Sequence, residues 1–146
     1  MANQDNDFTR LAMGFSRIER RHKRFINHSL AAKGVVGIPY PYIIAIKRNP
    51  GINQDQLADI QGVDKSRVAR IVRNMEIAGY ISREPHPEDR RNYMLNLTQE
   101  GATLYGLIVQ ISLEWAERIS RDINPSDITD MIRTIDKIIQ NLDGTV

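Results

Sequence analysis

The residues best suited to chemistry are basic side chains crowded into one short segment near the middle of the chain. No acidic residue interrupts this run before Glu76. Cationic side chains at helical spacing bind phosphate oxygens, and an arginine can also donate two parallel hydrogen bonds to a guanine edge. We therefore expect the segment to contact DNA. Its candidate contact residues are Lys65, Ser66, Arg67, Arg70 and Arg73.

A pair of short helices would position these side chains. Apolar residues recur at three and four positions through the basic segment, which predicts a helix with one buried stripe, and Asp64 is a suitable N-cap for it. An earlier helix is predicted because Asn53 and Gln56 have the capping-box spacing, and Gly62 can end that helix in a left-handed conformation. Two short helices, a glycine-containing turn and a basic outer face predict a helix-turn-helix. The buried stripe is Val68, Ile71, Val72 and Met75.

A β-hairpin is predicted directly after the second helix. Residues 80–84 and 93–97 alternate between apolar and polar, and residues 85–92 between them are polar and proline-rich, as in a loop. Thr98 is then placed to cap a further helix. A hairpin that follows a recognition helix is a wing, and arginines at its tip could reach a minor groove or phosphates.

These residues give the chain its resemblance to the MarR family of winged-helix transcription regulators. The specific part of the resemblance is the run Asp89-Arg90-Arg91 followed by Leu97-Thr98 and Gly101. The resemblance extends over the whole chain, but only residues 49–101 carry specific motifs. The other matching positions are Asn49-Pro50-Gly51, Leu57, Ala58, Ser66, Arg70, Glu76, Gly79, Ile81 and Arg83.

The resemblance implies several properties that residue patterns do not establish. It implies an obligate homodimer that regulates transcription, often released from DNA by a small molecule. It also implies that Asp89 braces the wing through an ion pair, and that either Arg91 or Arg90 enters the minor groove. A two-fold dimer would bind double-stranded DNA at a near-palindromic site.

Composition limits the other possible functions. The chain has 146 residues, a net charge of +2, 41% apolar residues and no cysteine, which is typical of one globular domain and excludes disulfides and thiolate metal sites. The three histidines are scattered, and no Walker loop, GxGxxG motif or nucleophile elbow is present. We therefore expect no enzyme activity, no cofactor and no metal. With no signal peptide or apolar span apparent, we expect a cytoplasmic protein without membrane contact.

Long amphipathic helices are predicted at both ends of the chain. Apolar residues recur at helical spacing over about residues 8–32, 99–121 and 125–142. The small winged region cannot bury all of this surface, so intertwined helices from two copies would cover it, although closure of a monomeric core is the alternative. The predicted fold is α+β but mostly α: residues 1–38 form a dimerisation helix and connector, 39–98 the winged helix-turn-helix, and 99–146 the C-terminal dimerisation helices.

A site for a small aromatic or anionic effector is predicted where the DNA-binding and dimerisation parts meet. The first helix has a strongly basic face, which would be either a solvated exterior, a phosphate contact or the lining of an anion site. Tyr40 and Tyr42 are either packing residues or, for one of them, a ligand donor. The candidate effector residues are Arg17, Arg20, Arg21, Tyr40 and Trp115.

Together these features favour a dimeric, sequence-specific DNA-binding regulator, with repression relieved by an effector. Two alternatives keep the same fold. One is a winged-helix module that binds another protein, and the other is a constitutive DNA-organising protein without an effector. The unbroken basic run in the second motif helix argues against the first alternative.

Overall fold

The computed structural model describes residues 2–87 and 92–143, with side chains from Asn6 onward. It forms two compact units, residues 1–112 and 113–146. Helices dominate, and one antiparallel pair of strands follows the fourth helix, so the predicted mostly α winged helix-turn-helix is confirmed. In chain order the elements are α1 (Ala2–Ala32), α2 (Tyr40–Arg48), α3 (Gln54–Gln61), α4 (Lys65–Ile77), β1 (Ile81–Pro85), β2 (Tyr93–Leu97), α5 (Gln99–Ile119) and α6 (Pro125–Asp143).

Local hydrogen bonds begin and end the two motif helices as predicted. The Asn53 side chain accepts from the Gln56 backbone N–H at 2.9 Å, and the Gln56 side chain accepts from the Asn53 N–H at 3.0 Å. Gly62 follows α3 with φ of 61°, the left-handed conformation that glycine adopts without steric cost. Asp64 accepts from the Arg67 N–H at 2.8 Å and so caps α4.

Three boundaries differ from the sequence prediction. α1 begins at Ala2 rather than near Phe8, because its first residues are polar and extend the helix without adding to the apolar stripe. The sequence predicts a short helix over residues 42–47 after Pro39-Tyr40-Pro41. α2 instead begins at Tyr40, with Pro39 as its N-cap and a second proline tolerated in its first turn. β1 includes Pro85, which was predicted to lie in the loop and instead pairs with Tyr93.

The hydrophobic core lies around the winged region. It receives side chains from α2, α3, α4 and both strands, and from the ends of α1 and α5 that adjoin them in sequence. The sheet is also attached to the residues before α3, because the Leu95 N–H donates to the Ile52 carbonyl at 2.9 Å. The largest fully buried side chains are Ile26, Ile43, Ile46, Leu57, Met75, Leu95, Ile108, Ile111, Val68 and Val72.

A close backbone contact joins the wing to α5. The Thr98 hydroxyl donates to the Gly79 carbonyl at 2.6 Å and accepts from the Gly101 N–H at 3.1 Å, so the predicted cap of α5 is confirmed. A Cβ atom at Gly101 would overlap the Tyr80 carbonyl oxygen. Glycine is therefore required sterically where α5 crosses the end of the preceding turn.

The terminal helices differ from this core. α6 has apolar and polar faces, yet none of its described residues is buried. Among the side chains of α1 that the structure describes, Ile26 and Leu30 alone are buried, and Phe8, Phe15 and Ile18 are exposed. Within the described ranges, no helix combines the length and apolarity needed to cross a bilayer.

Candidate nucleic-acid interface

The two sides of α4 have different chemistry. Val68, Val72 and Met75 are fully buried against the core, so they fix the helix and its rotation about its axis. The opposite side is exposed and carries Ser66 together with three arginines. Among the described residues, none of these arginines forms an ion pair, so their guanidinium groups are free to donate hydrogen bonds to an incoming anion. The three arginines are Arg67, Arg70 and Arg73.

Lys65 connects the two motif helices. Its Nζ lies 2.8 Å from the Asp55 carboxylate of α3. The hydrogen bond and the negative charge of Asp55 both raise the pKa of Lys65 by favouring its charged form. Both side chains are exposed, and such surface pairs contribute little to stability. Lys65 therefore remains charged at the start of α4, but it shares that charge with an acidic neighbour.

Tyr42 lies close to the basic side of α4. Its side chain is buried, and burial raises the pKa of its phenol, while the nearby positive charge of Arg67 opposes that rise. Tyr42 is thus a packing residue of α2 that brings a polar hydroxyl towards Arg67.

An arginine holds the base of the wing against the end of α4. The Arg83 guanidinium of β1 lies 3.5 Å from the Glu76 carboxylate and 5.5 Å from the centre of the Tyr93 ring. Glu76 belongs to α4 and Tyr93 to β2, so the Arg83 side chain of β1 links α4 to both strands of the hairpin. Arg83 therefore positions the wing relative to α4. Its Nε is buried without a hydrogen-bond partner among the described atoms.

The tip of the wing carries three further predicted contacts. Asp89, Arg90 and Arg91 lie outside the described residues, so their predicted roles stay predictions. The described part of the hairpin continues regularly beyond the strands, because the His86 N–H donates to the Asn92 carbonyl at 2.9 Å. The described part of the hairpin therefore extends as far as His86 and Asn92.

Comparison with known proteins identifies the family. A family model described as the MarR family matches residues 33–92, from just after α1 to just before β2. A crystal structure titled as that of MarR is 32% identical, with a TM-score of 0.76, and the match covers 93% of this chain and 98% of the other. The chain belongs to the MarR family.

Other MarR-family relatives are named as regulators of transcription. A proposed regulatory protein for the hcr operon of Thauera aromatica is 29% identical over 105 residues, covering 72% of this chain. The match spans 63% of that relative's length. A regulator from Listeria monocytogenes, complexed with a 26-mer DNA, shares the fold at 22% identity and a TM-score of 0.78, covering 90% of this chain and 87% of the other. Because the relatives are transcription regulators, the prediction of a non-enzymatic protein is confirmed.

The predicted effector residues lie on three different helices of this MarR-family chain, α1, α2 and α5. Arg17, Arg20 and Arg21 are exposed on α1 and line open grooves on that helix. Tyr40 is buried, and its ring meets His22 edge to face at 6.3 Å. Burial raises the pKa of Tyr40, and the nearby Lys23 partly offsets the rise. Trp115 is half-buried and belongs to the second compact unit.

Two residues of the candidate interface were missed in the sequence. Asn74 is exposed on the same side of α4 as Arg70, and an asparagine amide can pair with an adenine edge. Asn74 lies four residues after Arg70, about one helical turn, and this spacing could have predicted that both residues face the same side. Ile77 is 75% exposed one turn after Arg73, at the end of the same side. The mapping of the outward face by spacing from Arg70 would have found both.

Proposed function

We propose that this chain is a homodimeric, sequence-specific DNA-binding regulator of transcription. The observation that carries the proposal is the composition of α4. One side is buried in the core, and the other exposes a serine and three arginines that form no ion pair with any residue the structure describes. A protein-binding helix has no need of such a face, whereas a recognition helix uses it to bind phosphates and base edges.

Different residues of α4 would contact different parts of the DNA. Arg67 and Arg70 reach base edges or adjacent phosphates, because arginine matches the two acceptors of guanine. Ser66, near the helix start, offers a hydroxyl and a backbone N–H to phosphate. Lys65 and Arg73 add attraction that does not depend on sequence. The wing residues Asp89, Arg90 and Arg91 would act at the flank, with Asp89 as a brace and an arginine in the minor groove.

The homodimer is supported by apolar surface that the single chain leaves exposed. Ile132 is 54% exposed and Leu142 is 63% exposed on α6, while Phe8 is 68% exposed on α1. Monomeric proteins rarely expose large contiguous apolar patches, so a second copy is the natural cover. A two-fold pair would place two α4 helices in successive major grooves about 34 Å apart, which requires a near-palindromic DNA site.

We further propose that the regulator is a repressor relieved by a small aromatic or anionic effector. The effector would bind more tightly to a dimer whose α4 helices have the wrong separation, and would thereby shift the population away from DNA binding. Calorimetry with aromatic carboxylates tests this idea, since absence of heat together with unchanged DNA affinity would remove it. A regulator of this kind acts on DNA in the cytoplasm.

The function itself is tested by substituting Arg70. Arg70→Ala should weaken binding to the specific site by about 1–3 kcal/mol and relax the base preference. A matched substitution in the second unit, Arg121→Ala, removes the same charge and should leave the specificity unchanged. The measurement is a mobility-shift titration with a selected DNA site and a scrambled duplex. Equal affinity and equal preference for Arg70→Ala and the unsubstituted chain would exclude Arg70 from recognition.

A further inference from the structure

A second basic surface lies on α1, outside the helix-turn-helix segment of the sequence. Four arginines fall at intervals of three and four within about two turns, so they share one side of the helix. All four side chains are exposed, and together they line an open groove. We call this surface the α1 basic face. Its members are Arg17, Arg20, Arg21 and Arg24.

Within the part of the chain that the structure describes, no ion pair neutralises the charge of the α1 basic face. The described ion pairs of α1 join Arg10 to Asp7 and Lys23 to Glu19, and none involves the four arginines. The whole chain carries a net charge of only +2. Four unpaired guanidinium groups on one side of two helical turns are therefore a local concentration of charge and do not reflect a generally basic protein.

The α1 basic face is turned away from the core. Ile26 lies nine residues after Arg17, which places it on the opposite side of the helix, where it is fully buried. His22 is on the core side as well, against Tyr40. Burial of the apolar side of α1, whether by its own chain or by a second copy, therefore leaves the arginines in solvent.

We propose that the α1 basic face binds the phosphodiester backbone of DNA outside the stretch that α4 contacts. Arginine forms paired hydrogen bonds with phosphate, whereas a solvated helix surface would be served equally well by lysine. From Arg17 to Arg24 the helix rises by about 10 Å, a length over which one DNA strand presents about three phosphates.

A membrane surface is the less suitable partner. A helix that lies on a bilayer inserts its apolar side between the lipids. In α1 that side is committed to the protein core at Ile26 and Leu30, and its exposed part at Phe8, Phe15 and Ile18 would be covered by the second copy in the proposed homodimer. DNA requires only the exposed charged side.

The test compares two sets of substitutions in the full chain, separately and together. One set replaces Arg17, Arg20, Arg21 and Arg24 with glutamine. The other replaces the three α4 arginines, Arg67, Arg70 and Arg73, with glutamine. A control removes four positive charges from the second unit at Arg118, Arg121, Arg133 and Lys137. The probe is a labelled 60-base-pair duplex of random sequence, titrated at several salt concentrations, with circular dichroism and sedimentation to confirm folding and assembly.

The inference goes beyond the proposed function and does not depend on sequence reading by α4. We expect the α1 set to weaken binding of the duplex at least tenfold, both in the otherwise unsubstituted chain and in the chain that also carries the α4 set. It should also reduce the steepness of the salt dependence by about 0.9 for each phosphate that the protein no longer neutralises. The control should weaken binding less than threefold.

Two results would overturn the proposal. One is an α1 set that binds the duplex like the control in both backgrounds. The other is an α1 set that loses affinity for phosphatidylglycerol vesicles but none for DNA, which would identify a membrane as the partner. If the α4 set leaves the affinity for the duplex unchanged while the α1 set lowers it, the proposed DNA contact of α4 is wrong, but the proposal for the α1 basic face is supported.

Discussion

The residues between Tyr40 and Leu97 contribute most of the buried core, whereas α6 carries an apolar stripe with no buried residue. α1 has both buried and exposed apolar residues, because Ile26 is fully buried while Phe8 is 68% exposed. The winged region thus has the packing that a fixed recognition surface needs. The terminal helices have surface left over for association, which is why we assign them to the homodimer.

The largest expected effect tests how tightly the winged region is packed. Gly101→Ala should reduce the free energy of unfolding by about 3 kcal/mol or more, since the new Cβ would overlap the Tyr80 carbonyl and the backbone would have to shift. Gly106→Ala is the matched control in the same helix, because a Cβ there meets nothing within 4 Å. It should be neutral or stabilising by about 0.5–1 kcal/mol.

Urea unfolding at a fixed protomer concentration measures both variants, since association would otherwise alter the apparent stability. Similar stabilities for the two variants would mean that the contact between α5 and the turn before the wing is loose. The distinction between a tightly packed winged region and open terminal helices would then disappear.

The next effect concerns the terminal helices alone. Ile139→Asp places a charge on the apolar side of α6, where the wild-type side chain is 48% exposed. If that side is buried between copies, the dimer dissociation constant should rise at least about 100-fold, because each buried isoleucine contributes about 1.5–3 kcal/mol. Gln140→Asp, the adjacent exposed position on the polar side, should leave it unchanged. Sedimentation equilibrium measures the dimer dissociation constant of both variants. Equal constants for the two variants would mean that this side of α6 is not part of the dimer interface.

A smaller effect tests the local support of α4 within the winged region. Asp64→Ala removes the N-cap that accepts from the Arg67 N–H, and should cost about 1 kcal/mol of unfolding free energy. Asp64→Asn retains the acceptor and should cost only a small part of that amount. A thermal or urea unfolding comparison separates the two variants. Equal losses would show that the charge of Asp64, rather than its cap, supports the helix.

The smallest effect is a pH dependence at His22, where α1 meets the winged region. Burial lowers the pKa of His22 below its ordinary value of 6.5, although Glu19 opposes the shift. The unfolded chain therefore takes up its proton first as the pH falls, so this contribution to stability is present above the ordinary pKa and is lost below it.

The unfolding free energy should consequently fall slightly more between about pH 8 and about pH 5 in the wild-type chain than in His22→Gln. Urea titrations at the two pH values measure that difference. An identical pH dependence in the two proteins would indicate that His22 is as solvated in the folded chain as in the unfolded one.

Sequence reasoning succeeded where the determinants of structure are local. The caps at Asn53 and Asp64 and the apolar stripe of α4 depend on residues within one or two helical turns. Both caps are present, and the stripe is buried except at Ile71, which is only partly buried. It failed at the start of α1, where polar residues give no apolar period to detect. The joint formed by Arg83, Glu76 and Tyr93 was not predictable either, because it depends on the register of two strands and on the end of α4.

The candidate interface shows the same division. The outward direction of Arg70 follows from helical spacing, so it could be predicted, and its exposure agrees. The pairing of Lys65 with Asp55 could not, because it requires the packing angle between α3 and α4. The wing tip, with Asp89, Arg90 and Arg91, stays a prediction.

The most direct measurement compares binding of the unsubstituted protein to the DNA upstream of its own gene with binding to a scrambled duplex of equal length and salt. A sequence-reading α4 in a two-fold dimer predicts a preference of about 10³-fold or more for one near-palindromic site, with two protomers bound per site. If none of the upstream DNA is bound more than a few-fold better than the scrambled duplex, or if the bound species contains a single protomer, α4 does not read sequence as we propose.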